Sequence, residues 1–396
     1  MGMTGLSEEL AHLKEHGRLR ELKALSQRKD CNVVFRDQKL LNLSSNDYLG
    51  IAGDEELHQR FYDGLHSDSL LVNYGLGAAS SRLLTGDTKN SHLLEDLLKT
   101  SYKKEACLLY NSGYHANIGI LPALTGKPDL ILSDKLNHAS IVDGMRLSAA
   151  NFKRYRHCDY EHLRSLLEKH RKNYRRVIVV SESVFSMDGD VVDLRALVEI
   201  KNQFDCQLYI DEAHSVGLYG ENGLGMAEHQ GQLEEIDFLV GTFGKAFASV
   251  GAFLLCSEIV KEYLINKSRS LIFTTALPPI ITSWNIFIFS QLAEFSEQRK
   301  KLEKISGLLR KSLRDRHLQT DGTTNIIPVI IGNDQLTVTL SESMRELGYL
   351  ILPVRPPTVP VGTSRFRISL TAGMDWCELE CLADKIATLV NENGPC

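Results

Sequence analysis

The stretch Gly241-Thr-Phe-Gly-Lys-Ala-Phe-Ala-Ser-Val-Gly251 decides how this chain is interpreted. An apolar run over 236–240 precedes it and a second over 252–256 follows, and their length and composition predict two buried strands. Lys245 therefore lies on a tight, glycine-flanked turn between two core segments. Because desolvation favours the neutral amine, a lysine in such a setting can form a Schiff base with a carbonyl. A solvated lysine in an ordinary turn is the alternative that the rest of the chain must exclude.

Strands alternate with helices on the N-terminal side of this turn. Short apolar runs, each followed by a helical pattern, predict strands over 106–110, 129–133, 176–181 and 207–211. This alternation predicts an α/β fold, with a mostly parallel sheet covered by helices on both faces.

The pattern changes after Leu277-Pro-Pro279, where a long helical stretch over about 280–315 is followed by three further strands that alternate with helices. We therefore expect a second, smaller C-terminal α/β domain. The predicted division is an N-terminal helix and arm over 1–50, a large domain over 51–275 and a small domain over 276–396.

Several polar side chains fall just after the predicted strand ends, namely Tyr114, His138, Ser186, Asp211, His214 and Lys245. In a sheet of this kind ligands bind beyond the carboxyl ends of the strands, so these groups are expected to meet at one rim. Taken singly, each has a plain structural interpretation, such as a helix cap for Asp211 or a loop histidine for His138. Their convergence favours one site.

A Schiff-base lysine needs a carbonyl cofactor that accepts electrons, and pyridoxal phosphate supplies this chemistry. Asp211 is the candidate carboxylate that keeps the pyridine nitrogen protonated, because a negative neighbour favours the cation. His138 is expected to lie against the ring, and His214 and Ser186 to bond its phenolic oxygen. The remaining candidates would bind the phosphate. They are the N–H groups of Gly113 and Tyr114 at a helix N-terminus and the Thr242 hydroxyl.

Other site types fit the sequence less well. The turn lacks P-loop spacing, and Ala246 stands where a P-loop has a magnesium-binding hydroxyl. The cluster His157-Cys-Asp-Tyr-Glu-His162 has no second ligand group at zinc spacing, so a polar loop is preferred and no metal is expected.

Composition restricts the partners. A net charge of -5 gives no reason to expect a nucleic-acid partner, and no apolar run approaches the ~18 residues that span a bilayer. The N-terminus has no secretory pattern, and 8 cysteines without a C-x-x-C pair suggest a reducing, cytoplasmic location. Residues 6–29 predict a basic amphipathic helix, with a possible break near Gly17. Such a face is either merely solvated or guides an anionic substrate.

Motifs in order along the chain resemble those of the α-oxoamine synthases, namely Ser-Ser-Asn-Asp-Tyr-Leu-Gly (44–50), Asn-His-Ala-Ser (137–140), Ser-Val-Phe-Ser-Met-Asp-Gly-Asp (183–190), Asp-Glu-Ala-His (211–214), Thr-Phe-Gly-Lys (242–245) and Phe-Thr-Thr-Ala-Leu-Pro-Pro (273–279). That family consists of fold-type I pyridoxal-phosphate enzymes, which join an amino acid to an acyl-CoA with loss of carbon dioxide. The resemblance spans about residues 20–390.

The resemblance implies a homodimer with two sites at the subunit interface, where Thr274 and Thr275 would reach the phosphate in the partner's site. It also implies that Arg367 grips the carboxylate of the amino acid, a role suited to a bidentate guanidinium. Asn46 and Arg20 match positions that line the acyl-CoA side.

Within the family, residues 355–372 look most like the branch that condenses L-alanine with a pimeloyl thioester, of CoA or of an acyl carrier protein, in biotin biosynthesis. The apolar side chain of Leu83 is unfavourable next to a succinyl carboxylate, which disfavours a 5-aminolevulinate synthase. A glycine C-acetyltransferase or another acyl-CoA:amino acid synthase stays open. A non-catalytic scaffold that binds pyridoxal phosphate is the alternative from a different class, although every expected catalytic position is filled.

Overall fold

The computed structural model describes residues 3–65 and 69–393. Its strands are β1 (Gln27–Lys29), β2 (Asn32–Phe35), β3 (Gln38–Asn42), β4 (Ala106–Tyr110), β5 (Asp129–Asp134), β6 (Asn151–Tyr155), β7 (Arg176–Glu182), β8 (Gln207–Asp211), β9 (Phe238–Thr242), β10 (Ala252–Cys256), β11 (Ile326–Gly332), β12 (Tyr349–Leu350), β13 (Pro353–Val354) and β14 (Ser364–Ser369). Its α-helices are α1 (Met3–Glu15), α2 (Glu55–Asp63), α3 (Leu70–Tyr74), α4 (Lys89–Ser101), α5 (Gly113–Leu124), α6 (Ala139–Leu147), α7 (Tyr160–His170), α8 (Leu194–Phe204), α9 (Met226–His229), α10 (Glu258–Lys267), α11 (Arg269–Ile272), α12 (Pro279–Ser290), α13 (Ser296–Asp315), α14 (Asp334–Glu346), α15 (Trp376–Leu379) and α16 (Leu382–Asn393).

The largest sheet has 7 strands in the order β4-β10-β9-β8-β7-β5-β6. Its pairs are parallel except that β10 runs antiparallel to both β4 and β9. All residues of β4, β5, β9 and β10 are buried, as their unbroken apolar runs predict for strands covered on both faces. The predicted α/β class with a mostly parallel sheet is confirmed.

The carboxyl ends of β4, β5, β7, β8 and β9 lie at one edge of this sheet, because β10 is antiparallel to both of its neighbours and these two therefore point the same way. Each of the helices α5, α6 and α8 begins with a side-chain cap, from Ser112, His138 and Asp193 respectively. Such caps satisfy amides that the first helical turn leaves without partners. The sheet edge is therefore followed by well-defined helix starts, which position the side chains of the site.

The chain divides into two compact units. The first comprises the described residues within 1–55, 186–190 and 297–396, and the second comprises those within 56–185 and 191–296. The large sheet belongs to the second unit. The first unit contains a four-stranded sheet, β1-β2-β3-β12, and a three-stranded sheet, β11-β14-β13. The three-part domain division expected from the sequence has other boundaries and stays a prediction.

Two helix predictions are wrong in their extent. The basic helix predicted over 6–29 ends at Glu15, which confirms the break expected near Gly17, but no helix follows the break and residues 27–29 form β1 instead. Gly17 ends the helical course because its φ is +65°, in the left-handed region, and Arg18 then pairs with Asp334 at 2.6 Å. The helix predicted over 280–315 is two helices, α12 and α13, separated by a short 3₁₀ turn.

Within the described residues, the structure contains no helix with the length and apolar character that a bilayer crossing requires.

The turn between β9 and β10 depends on Gly251. Its φ is +111°, and a Cβ at this position would lie 2.9 Å from Leu277 Cδ1 and 3.2 Å from Phe243 Cδ2. Its carbonyl accepts from the Phe243 N–H at 3.0 Å and from the Thr242 hydroxyl at 2.9 Å. The turn that carries Lys245 therefore needs a residue without a side chain at its C-terminal end.

We expect Gly251→Ala to lower the free energy of unfolding by about 2–4 kcal/mol, from backbone strain and from overpacking against Leu277. Urea denaturation measures this change. The control is Gly307→Ala, because Gly307 is exposed in α13 and a Cβ there would meet no described atom within 4 Å apart from its own chain neighbours and the nearby backbone of its helix. An alanine there should stabilise by about 0.5–1 kcal/mol. Equal effects of the two substitutions would contradict the role given to Gly251.

Candidate active site

A pocket of about 180 Å³ lies in the second compact unit, at the carboxyl edge of the large sheet. Its lining residues are Gly113, Tyr114, Asn117, His138, Ser140, Glu182, Asp211, Ala213, His214, Thr242, Gly244 and Lys245. Seven of the residues that the sequence analysis selects are in this set. The lining residues stand at or after the ends of β4, β5, β7, β8 and β9, which the order of the sheet brings together.

Lys245 is half-buried in this pocket, three residues after the end of β9. The Lys245 carbonyl accepts from the Ala248 N–H at 2.9 Å, and the Ser249 N–H donates to the Phe243 carbonyl at 3.0 Å. These bonds close the turn on itself and fix where the lysine side chain begins. The amine therefore shares a cavity with Asp211 and His138, as the strand-end argument predicts.

Asp211 is held by two donors. Asn117 Nδ2 donates to Asp211 Oδ2 at 2.8 Å, and the Ala213 backbone N–H donates to Oδ1 at 2.9 Å. Asn117 is itself fixed, because the Tyr209 hydroxyl donates to its Oδ1 at 2.5 Å and its Nδ2 also donates to Ser140 Oγ at 2.9 Å. The carboxylate is thus oriented on both oxygens and keeps lone pairs for a further donor.

His138 caps α6 and has a defined tautomer. The Ser140 backbone N–H donates to His138 Nδ1 at 3.2 Å, and Ser140 Oγ lies 2.7 Å from the same nitrogen. A ring nitrogen that accepts these bonds carries no proton, so the proton is assigned to Nε2. Burial lowers the pKa of His138 and the charge of Lys245 lowers it further, although Asp211 opposes them. The imidazole is therefore neutral near pH 7 and offers an Nε2–H donor.

Glu182 is a lining residue that the sequence analysis did not select. It ends β7, is 3% exposed, and its Oε1 accepts from the His138 backbone N–H at 2.5 Å. Burial raises the pKa of Glu182 to about 8, and the nearby Asp211 charge adds to this while Lys245 opposes it. The signal in the sequence was a carboxylate directly after a buried apolar strand.

The raised pKa of Glu182 predicts a pH-dependent stability. Between pH 4.5 and about 8 the folded protein retains a proton at Glu182 that the unfolded chain has released, so stability falls as pH rises through this window. Glu182→Gln keeps an acceptor for His138 N–H and removes the titration. We expect the free energy of unfolding of this variant, relative to the parent, to increase from pH 5 to pH 8 by at most about 1.4 kcal/mol per pH unit.

Urea unfolding of the cofactor-free protein at pH 5, 6.5 and 8 measures this difference. The exposed Glu199 of α8 provides a matched control, Glu199→Gln, whose difference from the parent should stay flat. A flat difference for Glu182→Gln would show that this carboxyl titrates normally in the fold.

The N-terminus of α5 forms one wall of the pocket. The N–H groups of Gly113 and Tyr114 are the first amides of the helix and have no intrahelical acceptor. A Cβ on Gly113 would lie 3.9 Å from Thr242 Cβ, so the two predicted phosphate ligands are neighbours. The Thr242 hydroxyl already donates to Gly251 and accepts from the Gly244 N–H at 3.2 Å. The exposed amides are therefore better placed for an anion than this hydroxyl.

Three further predicted residues meet in the first compact unit. Arg367 on β14 donates from Nε to the Ser186 carbonyl at 2.5 Å and from Nη2 to the Tyr48 hydroxyl at 3.3 Å. The Tyr48 hydroxyl donates to Asn46 Oδ1 at 3.1 Å. Tyr48, which belongs to the motif over 44–50 but had no role predicted for it, therefore links Asn46 to Arg367. It is fully buried, and burial raises its pKa.

The remaining predicted residues lie elsewhere. Arg20 is exposed in the first unit and donates to Thr358 Oγ1 at 2.9 Å. Thr274 is half-buried and Thr275 exposed in the second unit, and neither lines the pocket of Lys245. Asn111, just before α5, donates to the Thr275 carbonyl at 2.7 Å. The roles given to these residues stay predictions.

The polar cluster near 157 has a structural explanation. Asp134 Oδ1 lies 3.0 Å from His157 Nδ1 and accepts from the Leu136 N–H at 2.8 Å, and its Oδ2 accepts from the Cys158 N–H at 2.9 Å. Although the ligand atoms of Asp134, His157 and Cys158 lie within 4.8 Å of one another, the carboxylate is engaged in these bonds. The geometry favours the polar loop.

The donor set of the pocket fits pyridoxal phosphate. It combines an amine at Lys245, an oriented carboxylate at Asp211, an imidazole donor at His138 and free helix amides at Gly113 and Tyr114. The amine suits the carbonyl of the cofactor and the carboxylate suits its pyridinium nitrogen. The imidazole suits its aromatic ring and the helix amides suit its phosphate.

A family model described as aminotransferase class I and II matches residues 38–386 of this chain. The chain belongs to this family. A protein of Haemophilus influenzae is 51% identical over 354 residues, which cover 88% of this chain and 91% of that protein. Its name, 8-amino-7-oxononanoate synthase, is itself provisional.

Solved structures agree with this relationship. A serine palmitoyltransferase from S. paucimobilis, described with bound PLP, has a TM-score of 0.89 and 27% identity, and the match covers 98% of this chain and 97% of that one. An 8-amino-7-oxononanoate synthase from Francisella tularensis has a TM-score of 0.75 and 26% identity, covering 89% and 98%. The predicted recognition as an α-oxoamine synthase with the fold-type I architecture is confirmed. The protein is a PLP-dependent enzyme of the acyltransferase type.

Proposed function

We propose that this enzyme condenses L-alanine with a pimeloyl thioester, of CoA or of an acyl carrier protein, to form 8-amino-7-oxononanoate in biotin biosynthesis. The observation that carries the proposal is 51% identity, over 88% of this chain, to a relative with that provisional name. In the balanced reaction, a bond forms between the alanine Cα and the thioester carbonyl carbon, the C–S bond breaks, and the alanine carboxylate leaves as carbon dioxide. The Cα–H bond of alanine breaks before the new bond forms, and its proton balances the one that the leaving thiolate takes up. After carbon dioxide leaves, one proton from solution is added at Cα, so the reaction consumes one proton overall.

Bound PLP supplies a carbonyl for the amino acid and an electron sink for the charge at Cα. Lys245 would bond the cofactor covalently at rest and move the proton at Cα during turnover, because its half-buried amine lines the pocket. Asp211, oriented by Asn117 and Ala213, would keep the pyridine nitrogen protonated. His138, as a neutral donor at Nε2, would lie against the ring and bond the thioester oxygen. His214 and Ser186 would bond the phenolic oxygen.

Arg367 would bind the carboxylate of L-alanine. It is 9% exposed, and it donates from Nε to Ser186 and from Nη2 to Tyr48, at 2.5 and 3.3 Å. Those contacts orient the planar guanidinium, which lowers the entropy cost of binding a carboxylate. Asn46 and Arg20 would line the acyl-donor side.

We further propose a homodimer in which Thr274 and Thr275 reach the phosphate in the partner's site. The support is that three leucines within one short stretch of the second unit, Leu71, Leu76 and Leu84, are 81%, 85% and 78% exposed. Contact with a second chain would remove these apolar side chains from water. We place the enzyme in the cytoplasm, because the seven cysteines of the described chain are free thiols.

A substrate panel tests the proposed function. The PLP-loaded enzyme is assayed for thiol release with glycine, L-alanine and L-serine, each against acetyl-CoA, pimeloyl-CoA and palmitoyl-CoA. We expect the highest kcat/KM for L-alanine with pimeloyl-CoA, and mass spectrometry should then identify 8-amino-7-oxononanoate. Faster turnover of glycine with acetyl-CoA would favour a glycine C-acetyltransferase. Cofactor binding without turnover of any pair would favour a scaffold.

A further inference from the structure

Three cations surround one aromatic ring in the first compact unit. Lys23 Nζ lies 6.0 Å, Arg36 Cζ 5.2 Å and Arg345 Cζ 5.6 Å from the ring centroid of Phe35. The ring is buried at the end of β2, whereas Lys23 and Arg36 are exposed. Cation–π attraction at exposed positions is worth about 0.5–1 kcal/mol for each contact, so the ring partly offsets the repulsion among the three charges.

These cations have no carboxylate in ion-pair contact within residues 3–65 and 69–393. Other cations of the same unit do pair, as Arg18 does with Asp334 at 2.6 Å and Lys29 does with Glu55 at 3.0 Å. Burial and the Arg345 charge lower the pKa of Lys23, while the charges of Glu342 and Glu21 oppose them. The three side chains therefore form a cluster of positive charge in which, among the described residues, no carboxylate makes a direct ion pair, although Glu342 and Glu21 lie near Lys23.

The positive charge continues towards the predicted acyl-donor residue. Arg355 Nη2 donates to the Leu19 carbonyl at 3.5 Å, next to Arg20 in the chain. Burial lowers the pKa of Arg355 and the charge of Arg20 lowers it further, while Asp334 opposes them; the charge of Arg355 in turn contributes to the lowered pKa of Lys23. The Arg355 guanidinium donates from Nη1 to the Gly17 carbonyl, but its buried Nε–H has no acceptor in the described structure. We call the set Arg20, Lys23, Arg36, Arg345 and Arg355 the cation strip.

We propose that the cation strip binds the phosphate groups of the thiol handle that carries the acyl donor. That handle is a phosphopantetheine in both CoA and an acyl carrier protein, so the ligand chemistry is the same from either source. The inference rests on the proposed function, in which the acyl group arrives as a thioester of such a handle.

The charge of the cation strip favours a phosphate ligand over the acyl chain. A terminal carboxylate on the acyl chain carries one negative charge and would neutralise only one of the cations. Phosphate groups carry more charge and present several acceptor oxygens, which match guanidinium donors in a fork geometry.

Calorimetric titration of the PLP-loaded enzyme tests the proposal with four probes, namely CoA, dephospho-CoA, pantetheine and a carrier protein bearing phosphopantetheine. The variant is Lys23→Gln/Arg36→Gln/Arg345→Gln. We expect its Kd for CoA to rise about tenfold. Each exposed pair of a cation with a phosphate contributes modestly to the binding free energy, and the variant removes three of them. Its affinity for pantetheine, which has no phosphate, should be unchanged. Raising the salt concentration should weaken CoA binding to the parent more than to the variant.

The matched control removes three exposed cations from α13, with Lys304→Gln/Lys311→Gln/Arg314→Gln, and should bind CoA like the parent. The single variant Lys23→Gln replaces the triple if the triple does not fold, with an expected loss of about threefold. If only the affinity for the carrier protein falls, the cation strip binds the phosphate of the carrier protein and not that of CoA. Unchanged binding of both CoA and carrier protein, or an equal loss for pantetheine, would overturn the proposal.

This outcome is independent of the proposed substrates, because CoA binding is measured without an amino acid or an acyl chain. An enzyme that fails to use L-alanine with pimeloyl-CoA but loses CoA affinity in the triple variant would refute the proposed function and leave the cation strip standing.

Discussion

Lys245→Ala is expected to abolish turnover, with a loss in kcat of about 10⁴-fold or more, because proton transfer by a positioned side chain alone contributes about 10²–10⁴-fold. The half-buried amine lines the same pocket as Asp211 and His138. An alanine removes both the group that would bond the cofactor and the group that would move the Cα proton. The measurement is thiol release with L-alanine and pimeloyl-CoA at saturating PLP. Peptide mapping after borohydride reduction should locate the cofactor on residue 245 of the parent.

Two variants make the Lys245 experiment specific. Lys267→Ala removes an exposed lysine at the C-terminus of α10 and should leave turnover and borohydride labelling unchanged. Lys245→Arg keeps a cation in the pocket but provides no amine for covalent attachment, so it should be as inactive as the alanine variant. If Lys245→Arg kept parental activity, the lysine would act through its charge, and the covalent role proposed for it would be wrong.

Asp211→Asn is expected to lower kcat by about 10³-fold, the scale of loss when a fixed electrostatic group is removed from an active site. The substitution removes the negative charge that would hold a proton on the pyridine nitrogen. It also places an amide NH₂ where the structure has an acceptor, opposite the Asn117 donor at 2.8 Å or the Ala213 N–H at 2.9 Å. One donor must then face another donor in a buried position, at a cost of about 1–3 kcal/mol of stability.

Steady-state kinetics and urea unfolding separate these two effects for Asp211. Asp205→Asn is the surface control, because its carboxylate is fully exposed and pairs with Arg171 at the surface. That variant should change neither kcat nor stability measurably. Asp211→Glu keeps the charge and should recover part of the activity lost in Asp211→Asn. If Asp211→Asn lost stability but kept kcat, Asp211 would serve the fold and not the cofactor.

Two helices with wrongly predicted extents, and site residues that were not selected from the sequence, show what local sequence patterns could not predict. The apolar runs around Lys245 predicted the bounds of strands β9 and β10 to within two residues. They could do so because a strand buried on both faces consists mainly of consecutive apolar residues. The predicted break near Gly17 is confirmed, because the backbone there turns into the left-handed region, but the helix expected from there to residue 29 does not form although the leucine spacing continues. Periodicity describes a local preference, and the contact of Arg18 with Asp334, 316 positions away, overrides it.

Residues whose role depends on a distant partner were also missed. Asn117 is a polar residue in an otherwise apolar helix, which was a usable signal, but its bond to Asp211 joins α5 to β8 across 94 positions. The sequence offered no sign of a role for Tyr48 beyond its place in the motif over 44–50. Its link between Asn46 and Arg367 depends on the fold, which brings Arg367 on β14 next to Tyr48 although the two are 319 positions apart.

Local sequence patterns were enough to predict the α/β class, the strand ends at which Lys245, Asp211 and His138 stand, and the chemistry of those side chains. Each of these follows from a short stretch of residues, since turn formation, apolar runs and functional groups are local properties. The order of the strands, the protonated nitrogen of His138, the raised pKa of Glu182 and the grouping of cations around Phe35 come from the three-dimensional fold. All four depend on which distant segments become neighbours, because burial and electrostatic interaction are set by distance in space and not by distance along the chain.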